Sequence, residues 1–475
     1  MLKKVLIALL SIVLLLVAVI LVRTFTFSYE PMAVEPVEPV SIPDDAVVHL
    51  QKAIQFPTIS YKKNVVSDTS AFIGLANYLK ATYPLVDSIL ERKTFNYSLL
   101  YEWKGNQPEL NPVVLMAHMD VVPVDETTLD QWEAPPFSGD VKNGKIYGRG
   151  TMDDKGNVIA LLEACEMMLA KGIIPRRTVY FVFGHDEEVG GENGAKVIAD
   201  YLESEGVSPE FVMDEGGFIA EGMVPDFPKP LAVINTGEKG YVSYKISIQT
   251  PGGHSSNPPK DNTIGDLARA IAKLEANQFD YHMIPVIEKQ ISIIGPEFGF
   301  VQKMAFANTW LFGEKILEGL TARTTTAPTM LEGGVKDNVI PTQASVVVNF
   351  RIMPGETVED VKNHVVSVID DDRFTVESYS NENNPSRVAD HNTESFQLVE
   401  KTIRQLHTDI VVTPGLLQAG TDSKHFLKIS DNVYRFFPTR INPDNATGFH
   451  GKNEYITVEN YKETIQFVYQ LMSNL

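Results

Sequence analysis

The sequence contains very little cysteine: Cys165 is the single one among 475 residues. One thiol excludes an intrachain disulfide and a metal site built from several cysteines. Any metal site in this chain would therefore consist of His, Asp and Glu side chains. Basic residues are also scarce, with 41 Lys and Arg against 61 Asp and Glu and a net charge of −20. An acidic surface repels phosphate backbones, so we expect no nucleic-acid partner.

The composition is otherwise ordinary for a folded protein, with 44% hydrophobic and 21% charged residues. These values exclude wholesale disorder and fibrous structure. At roughly 100–200 residues per domain, the length predicts two or three domains.

A long apolar run lies at the N-terminus, where Val5 to Val22 contain no charge. As a helix, this run would span about 27 Å, close to the roughly 30 Å of a bilayer core. A single-pass membrane anchor is favoured because the run is longer than that of a signal peptide and no A-x-A site follows it. The alternative is a cleaved signal over residues 1–23, which would leave a secreted or periplasmic protein. In both cases we expect the rest of the chain to be exported, and Lys3 and Lys4 favour a cytoplasmic N-terminus.

Residues 24–45 form a Pro-rich linker with an E-P-V-E-P-V repeat. The repeat predicts an extended polyproline-type spacer that holds the folded part away from the membrane. Beyond it, we predict an α/β domain in two parts, residues 46–238 and 383–475. A smaller α+β domain, residues 239–382, is predicted as an insertion between them.

The α/β part alternates strand-like and helix-like patterns. Short apolar runs predict buried strands at Val113–Met116, Val179–Phe183 and Phe211–Met213. Apolar residues at helical spacing predict a helix from about Val158 to Leu169. Strands that alternate with helices indicate a central, mostly parallel sheet with flanking helices.

The insertion has a different pattern. Tyr241–Gln249 and Ala344–Ile352 alternate between apolar and polar residues, which is typical of half-exposed antiparallel strands. Helical patterns follow at Asp266–Ala276 and Thr357–Ile369. The pattern of residues 298–331 is mixed and predicts no definite element.

Acidic residues and one histidine follow the three predicted buried strands directly. The clusters are His118-Met119-Asp120, Asp186-Glu187-Glu188 and Asp214-Glu215. Ligands bind at the carboxyl ends of strands in open parallel sheets, so neighbouring strands would bring these clusters to one edge. A further acidic cluster, in the stretch G-R-G-T-M-D-D-K-G (148–156), immediately precedes the predicted helix.

Carboxylates that share one edge repel one another, and a pair of divalent cations would remove that repulsion. Zinc accepts histidine nitrogen and carboxylate oxygen, and one carboxylate can bridge two metals about 3.5–4 Å apart. Singly, each cluster also fits a structural role: His118 as a core histidine, Glu187-Glu188 as a solvated pair. A phosphate-binding loop at 148–156 is disfavoured because the order G-x-x-x-x-G-K-[ST] is absent. The clusters together favour a dinuclear metal site.

Seven stretches carry a resemblance to a known family. In order they read A-H-M-D-V-V-P-V, G-R-G-T-M-D-D-K-G, G-H-D-E-E-V-G-G, M-D-E-G-G, G-G-H-S-S, G-T-D-S-K-H and G-F-H-G-K-N-E. From about residue 46 to the C-terminus, the chain resembles the dinuclear-zinc peptidases and amidohydrolases that include aminoacylase, carboxypeptidase G and carboxypeptidase S. It is most similar to the branch of carboxypeptidase S and N-fatty-acyl-amino-acid hydrolases.

The resemblance implies two Zn²⁺ ions per subunit, with Co²⁺ or Mn²⁺ as alternatives. The implied metal ligands are His118 and Asp214 for one ion, Glu188 and His450 for the other, and Asp153 as the bridge. Glu187 would be the general base, and Asp120 would hold His118 by its second ring nitrogen. The resemblance also implies a cis peptide bond between Asp153 and Asp154. In an extended segment, Glu187 and Glu188 would point in opposite directions and so take different roles.

Four further residues are implied by the same resemblance. His254 would stabilise the oxyanion, often in the active site of a dimer partner. Asn338 and Arg351 would bind the substrate carboxylate, and Gly420 would line the substrate pocket. Asn349 replaces an acid of many relatives two residues before Arg351, so that arginine would lack its usual partner.

The predicted activity is hydrolysis of the amide bond of N-acyl amino acids, or of the last peptide bond of short peptides, by metal-bound hydroxide. Two alternatives remain at this point. One is an aminopeptidase or a biosynthetic deacylase with the same metal centre. The other is an inactive, membrane-tethered binding protein. The resemblance also implies that the α/β domain is catalytic and that the insertion is a lid or dimerisation domain, through which a homodimer would form.

Overall fold

The computed structural model describes residues 1–66, 68–380 and 382–475. Ser67 and Asn381, which fall inside the predicted domains, lie outside the described residues. The α-helices are α1 Leu2–Thr26, α2 Asp45–Ile54, α3 Thr69–Thr82, α4 Pro84–Ile89, α5 Lys155–Ala170, α6 Ala195–Ser204, α7 Thr263–Ala276, α8 Pro285–Ile294, α9 Phe300–Ala307, α10 Thr309–Gly319, α11 Val358–Ile369, α12 Glu394–Leu406 and α13 Val458–Asn474. The β-strands are β1 Glu91–Phe95, β2 Ser98–Trp103, β3 Val113–His118, β4 Val141–Lys142, β5 Lys145–Tyr147, β6 Val179–Gly184, β7 Phe211–Asp214, β8 Ile219–Ala220, β9 Leu231–Glu238, β10 Gly240–Gln249, β11 Gly253–His254, β12 Thr325–Gly333, β13 Val339–Ile340, β14 Gln343–Ile352, β15 Phe374–Ser378, β16 Val411–Leu417, β17 Val433–Arg435, β18 Arg440–Ile441 and β19 Tyr455–Thr457.

The larger sheet has the strand order β1-β2-β6-β3-β7-β17-β9-β8-β18, with β16 beside β9. Its centre is parallel, because β3 pairs in parallel with β6 and β7, and β17 pairs in parallel with β7. The outer pairs β1–β2, β2–β6 and β8–β9 are antiparallel, so the sheet is mixed. The three predicted buried strands are confirmed as the neighbours β6, β3 and β7. Their carboxyl ends therefore lie at one edge, where the acidic clusters follow.

Helix α5 lies against the larger sheet and is buried along most of its length. Its apolar residues occur on all sides because it packs between β3, α2 and α13. The helix ends at Ala170, and Gly172 follows it with a φ of +68°. Glycine adopts this left-handed conformation without the strain of a Cβ atom. The first turn of α5 follows Asp153 and Asp154 directly and so fixes that loop against the sheet.

A second, antiparallel sheet has the order β12-β14-β10-β15. Helices α7 and α11 pack on it and enclose a separate apolar cluster that includes Val242, Ile246, Val348 and Val361. The predicted strands and helices of the insertion are confirmed, whereas its boundaries remain a prediction. Residues 298–331, which had no predicted element, form α9, α10 and most of β12.

Helix α8 packs on the larger sheet rather than on the smaller one. Ile293 and Ile294 of α8 share an apolar cluster with Leu231 of β9 and Val411 of β16. The predicted insertion therefore has two parts: a sheet with its own core, and a helical part that packs on the larger sheet.

The N-terminal helix α1 is long and apolar enough to cross a membrane, a property that a signal sequence shares. The Pro-rich linker is extended, and hydrogen bonds hold it to the folded body. Its predicted role as a spacer from the membrane stays a prediction. Val37 donates its N–H to the Gln405 carbonyl at 3.0 Å, and Gln466 donates to the Val40 carbonyl at 3.0 Å. Apolar contacts accompany these hydrogen bonds, since Ile42 belongs to the main apolar core and Val40 packs partly buried against it.

Candidate functional site

Four of the five predicted metal ligands meet at the carboxyl edge of the larger sheet. His118 Nε2 lies 2.9 Å from Asp153 Oδ1, and His450 Nε2 lies 3.1 Å from Asp153 Oδ2. His450 Nε2 also lies 3.2 Å from Glu188 Oε2. Asp153 therefore offers one oxygen to each histidine, which is the arrangement expected of a bridging carboxylate. Ligand atoms of His118, Asp153 and Glu188 all lie within 4.8 Å of one another.

The loop that carries Asp153 has the predicted cis peptide bond between Asp153 and Asp154. Asp154 Oδ2 accepts a hydrogen bond from the backbone N–H of His118 at 3.0 Å. This contact joins the loop to the last residue of β3. The loop of Asp153 and the backbone of His118 are thus held together.

A buried ion pair that the sequence analysis missed supports the same loop. Arg149 Nη1 donates to Glu454 Oε2 at 2.7 Å, and both side chains are almost completely buried. Glu454 Oε1 accepts the backbone N–H groups of Gly150, Met152 and Asp153 at 2.9 to 3.2 Å. Burial raises the pKa of Glu454, and Arg149 opposes that rise. The signal available in the sequence was an arginine within a Gly-rich stretch, 305 residues from its partner.

Asp120 contacts the second ring nitrogen of His118, as predicted. His118 Nδ1 lies 3.0 Å from the backbone carbonyl oxygen of Asp120 and 3.4 Å from its carboxylate Oδ1. The Asp120 carboxylate oxygens accept the backbone N–H groups of Glu187 and Glu188, both at 3.1 Å. Asp120 therefore orients His118 mainly through its backbone and holds the neighbouring acidic turn through its side chain.

Glu187 and Glu188 do not lie in an extended segment, so the predicted opposite orientation is wrong. They begin a short 3₁₀ helix, Glu187–Val189, in which successive side chains are separated by about 120°. Both glutamates line the same cavity. Glu188 reaches His450, whereas Glu187 Oε2 stays 3.9 Å from His118 Nε2. The two carboxylates still occupy different positions, as their predicted roles require.

Asp214, the predicted ligand, and its neighbour Glu215 have different surroundings. The oxygens of Asp214 accept the backbone N–H groups of Glu215 at 2.9 Å and Ser423 at 2.8 Å. Glu215 lines the cavity beside Asp153, and its carboxylate accepts no hydrogen bond from the residues that the structure describes. Glu215 is therefore the carboxylate with free lone pairs for a cation, and the assignment of Asp214 remains a prediction.

The electrostatics of the cluster fit bound cations. Burial raises the pKa of Glu187 well above its usual range, and burial together with Asp153 does the same for Glu215. Hydrogen bonds to Asp153 and Glu188 raise the pKa of His450 to about 10. Without added positive charge, these acids would take up protons to relieve their mutual repulsion. Oxygen and nitrogen donors at these separations match the chemistry of a divalent metal.

A cavity of about 480 Å³ opens beside the cluster. Its polar wall includes Asp153, Glu187, Glu188, Glu215 and His450. Gly420 lines it, as predicted. The remaining wall is mostly apolar and includes Met152, Phe218, Met223, Leu417, Ala419, Phe437, Ile441, Ala446 and Phe449. The acidic cluster therefore occupies one side of an otherwise apolar pocket.

Three further predicted site residues, the oxyanion residue His254 and the substrate-binding residues Asn338 and Arg351, lie on the insertion, outside the wall of this cavity. His254 is exposed on β11, and its backbone pairs with Val339 next to Asn338. The Arg351 guanidinium lies 4.9 Å above the ring of Tyr241 and donates from Nη1 to the Gln418 carbonyl at 3.2 Å. Arg351 therefore reaches the segment that leads to Gly420, whereas His254 and Asn338 do not contact the cavity.

Comparisons with known proteins agree with this geometry. The family described as peptidase family M20/M25/M40 matches residues 114–474. The N-fatty-acyl-amino acid synthase/hydrolase PM20D1 of Homo sapiens is 38% identical over 442 residues, which cover 90% of this chain and 86% of that protein. Carboxypeptidase S of Saccharomyces cerevisiae is 31% identical over 492 residues, covering 91% of this chain and 84% of that protein.

The solved structures show the same fold. The M20 family metallo-carboxypeptidase Sso-CP2 from Sulfolobus solfataricus superposes with a TM-score of 0.68 at 21% identity, covering 90% of this chain and 99% of that chain. Human carnosine dipeptidase 1 superposes with a TM-score of 0.65 at 16% identity, covering 91% and 96%. The chain belongs to the M20 peptidase family. It is a metal-dependent enzyme of the metallopeptidase and amidohydrolase class.

Proposed function

We propose that this enzyme hydrolyses the amide bond of N-acyl amino acids that carry an apolar acyl group. The observation that carries the proposal is the pocket, because its acidic cluster adjoins a wall of apolar side chains. Apolar walls bind apolar groups by removing them from water. The relatives named N-fatty-acyl-amino acid synthase/hydrolase support the same substrate class.

We further propose that two Zn²⁺ ions occupy the cluster. His118, Asp153, Glu188 and His450 would hold them, with Glu215 or Asp214 as the fifth ligand. Bound there, zinc would polarise the scissile carbonyl and lower the pKa of water. The chain itself contributes a fixed donor set, which Asp120, Asp154 and Glu454 hold through backbone hydrogen bonds.

Glu187 is positioned to act as the proton carrier. Its carboxylate lines the cavity and has a raised pKa because it is buried. A general base is most effective when its pKa lies near the working pH. Glu187 would take a proton from the attacking water and return it to the leaving nitrogen, which completes the hydrolysis.

An acyl-length series tests the substrate proposal. Purified enzyme would be assayed with N-acyl phenylalanines of two to eighteen acyl carbons, and with matched dipeptides that have a free amine. We expect kcat/KM to rise with chain length until the apolar wall is filled. Equal or better turnover of the dipeptides would contradict the proposal and favour the aminopeptidase alternative.

Removal of a ligand tests the metal proposal. His450→Ala should lower the zinc content, measured by elemental analysis, because it removes a nitrogen in contact with Asp153 and Glu188. His425→Gln serves as the control, since His425 bonds the Gly190 carbonyl rather than the cluster. Unchanged zinc in His450→Ala would remove this residue from the ligand set.

The second candidate is cleavage of the last peptide bond of short peptides. Relatives named carboxypeptidase S favour it. Arg351 would then bind the terminal carboxylate, which an arginine grips through two parallel hydrogen bonds. N-blocked dipeptides added to the acyl series separate this candidate from the first, because both substrates carry the same carboxylate but differ in the apolar chain.

A further inference from the structure

The contacting helices α9 and α10 expose an unusual number of large apolar side chains. The exposed fractions are 51% for Phe300, 68% for Val301, 54% for Trp310 and 49% for Leu311. Single exposed apolar residues are normal on a protein surface. Four of them on two consecutive short helices indicate a surface that contacts something apolar.

The end of the N-terminal helix α1 lies against these same helices. Arg23 Nε donates to the Ala307 carbonyl at 3.0 Å. The Asn308 side-chain amide lies 3.4 Å from both the Ile20 carbonyl and Thr24 Oγ1, and Thr24 is buried there. The rings of Phe25 and Phe300 are 5.8 Å apart. The junction of α9 and α10 is therefore fixed to the last turns of α1.

The charges of α1 locate this junction relative to a bilayer. The charge-free run from Val5 to Val22 is long enough for a bilayer core, and Arg23 follows it directly. With this run in a membrane, Arg23 lies at the boundary between lipid and water. Helix α9 contacts Arg23 and Phe25, and Asn308, which joins α9 to α10, contacts Ile20 on the other side of that boundary. The junction of the two helices therefore lies at the lipid surface.

We propose that α9 and α10 form a membrane-docking element, which inserts Phe300, Val301, Trp310 and Leu311 into the lipid surface beside α1. Tryptophan and other aromatic side chains favour that depth. The helices carry Lys303 and Lys315 against Glu314 and Glu318, so no net charge selects for anionic lipid. The expected occupant is therefore the interface of a neutral phospholipid bilayer.

This docking would set the orientation of the active site. Phe218 lines the cavity and also packs in one apolar cluster with Phe298 and Phe306. Phe298 lies just before α9, and Phe306 belongs to α9. The apolar wall of the cavity is thus continuous with the docking helices. The proposal rests on α1 being a membrane anchor and does not depend on the hydrolytic activity.

Tryptophan fluorescence of the full-length chain tests the proposal. The three tryptophans are Trp103 and Trp132, which are buried, and Trp310, which is exposed. The protein would be reconstituted into phosphatidylcholine vesicles with and without brominated acyl chains, and iodide would be added as a water-borne quencher. We expect brominated lipid to quench Trp310 and the bilayer to shield it from iodide. Trp310→Phe should abolish the bromine-dependent quenching, whereas Trp103→Phe should retain it.

A charged variant separates docking from anchoring. Val301→Glu should expose Trp310 to iodide and reduce the quenching by brominated lipid at least twofold. The variant should still float with the vesicles, because α1 remains inserted. Val366→Glu is the matched control, because Val366 is 53% exposed on α11 of the second sheet. Quenching of Trp310 by iodide in the unaltered, vesicle-bound protein would overturn the proposal. So would protection from both quenchers, which indicates coverage by protein, or failure of the chain to float with vesicles.

Discussion

The buried pair of Arg149 and Glu454 gives a prediction that can be worked out from the structure. Glu454→Met removes the carboxylate from a guanidinium that is buried and leaves three backbone N–H groups of the Asp153 loop without their acceptor. Removing one partner of a buried ion pair costs about 3–5 kcal/mol. We therefore expect the free energy of unfolding to fall by about that amount, against a typical total of roughly 5–15 kcal/mol.

Arg149→Met should be the milder change. The Glu454 carboxylate remains and still accepts its three backbone N–H groups. A buried donor left without an acceptor costs roughly 1–3 kcal/mol, and Arg149→Met avoids this cost for all three. Urea unfolding of the detergent-solubilised chain, followed by tryptophan fluorescence, measures both variants. Trp132 is a suitable probe because its ring lies 5.7 Å from the Arg149 guanidinium.

Glu297→Gln is the control for this pair. Its partner Lys229 lies 2.9 Å away, but the two side chains are 23% and 41% exposed. Such partly exposed pairs contribute about 0–1 kcal/mol. A loss in Glu454→Met no larger than that of the control would refute the reasoning, as would a greater loss in Arg149→Met. Zinc content should also fall in Glu454→Met, because the loop that carries Asp153 loses its support.

Three further predictions concern the active site and its surroundings. Glu187→Ala should retain zinc and lose at least about a hundredfold in kcat, in line with the usual contribution of a general base; full activity would exclude Glu187 from the mechanism. Glu215→Gln should lose more zinc than Asp214→Asn, because the Asp214 oxygens already accept backbone hydrogen bonds; the reverse order would support Asp214 as the ligand. Burial lowers the pKa of His425 to about 4, below the ordinary value of about 6.5 in the unfolded chain. The unfolded state therefore binds the proton more readily between these values, so stability should fall by up to about 1.4 kcal/mol per unit as the pH drops from about 6.5 to 4. His425→Gln should flatten that dependence in urea titrations, and an unchanged slope would show that other groups cause it.

The residue patterns were sufficient for the local elements and for the type of site. Buried strands are continuous apolar runs, so β3, β6 and β7 were found within one or two residues. The presence of only one cysteine, together with the acidic clusters after these strands, predicted a His, Asp and Glu metal centre. The resemblance added His450, which no local pattern connects to His118 because 332 residues separate them.

The tertiary structure decided what depends on contacts between distant segments. Arg149 and Glu454 are 305 residues apart, and the sequence around neither residue predicts that they pair. The 3₁₀ turn at Glu187 forms because Asp120 accepts two of its backbone N–H groups, so its side-chain directions follow from packing rather than from sequence periodicity. The sequence pattern did not predict the helices of residues 298–331. Their apolar side chains pack on a surface formed by α1, α8 and the larger sheet, and this surface exists only in the folded protein.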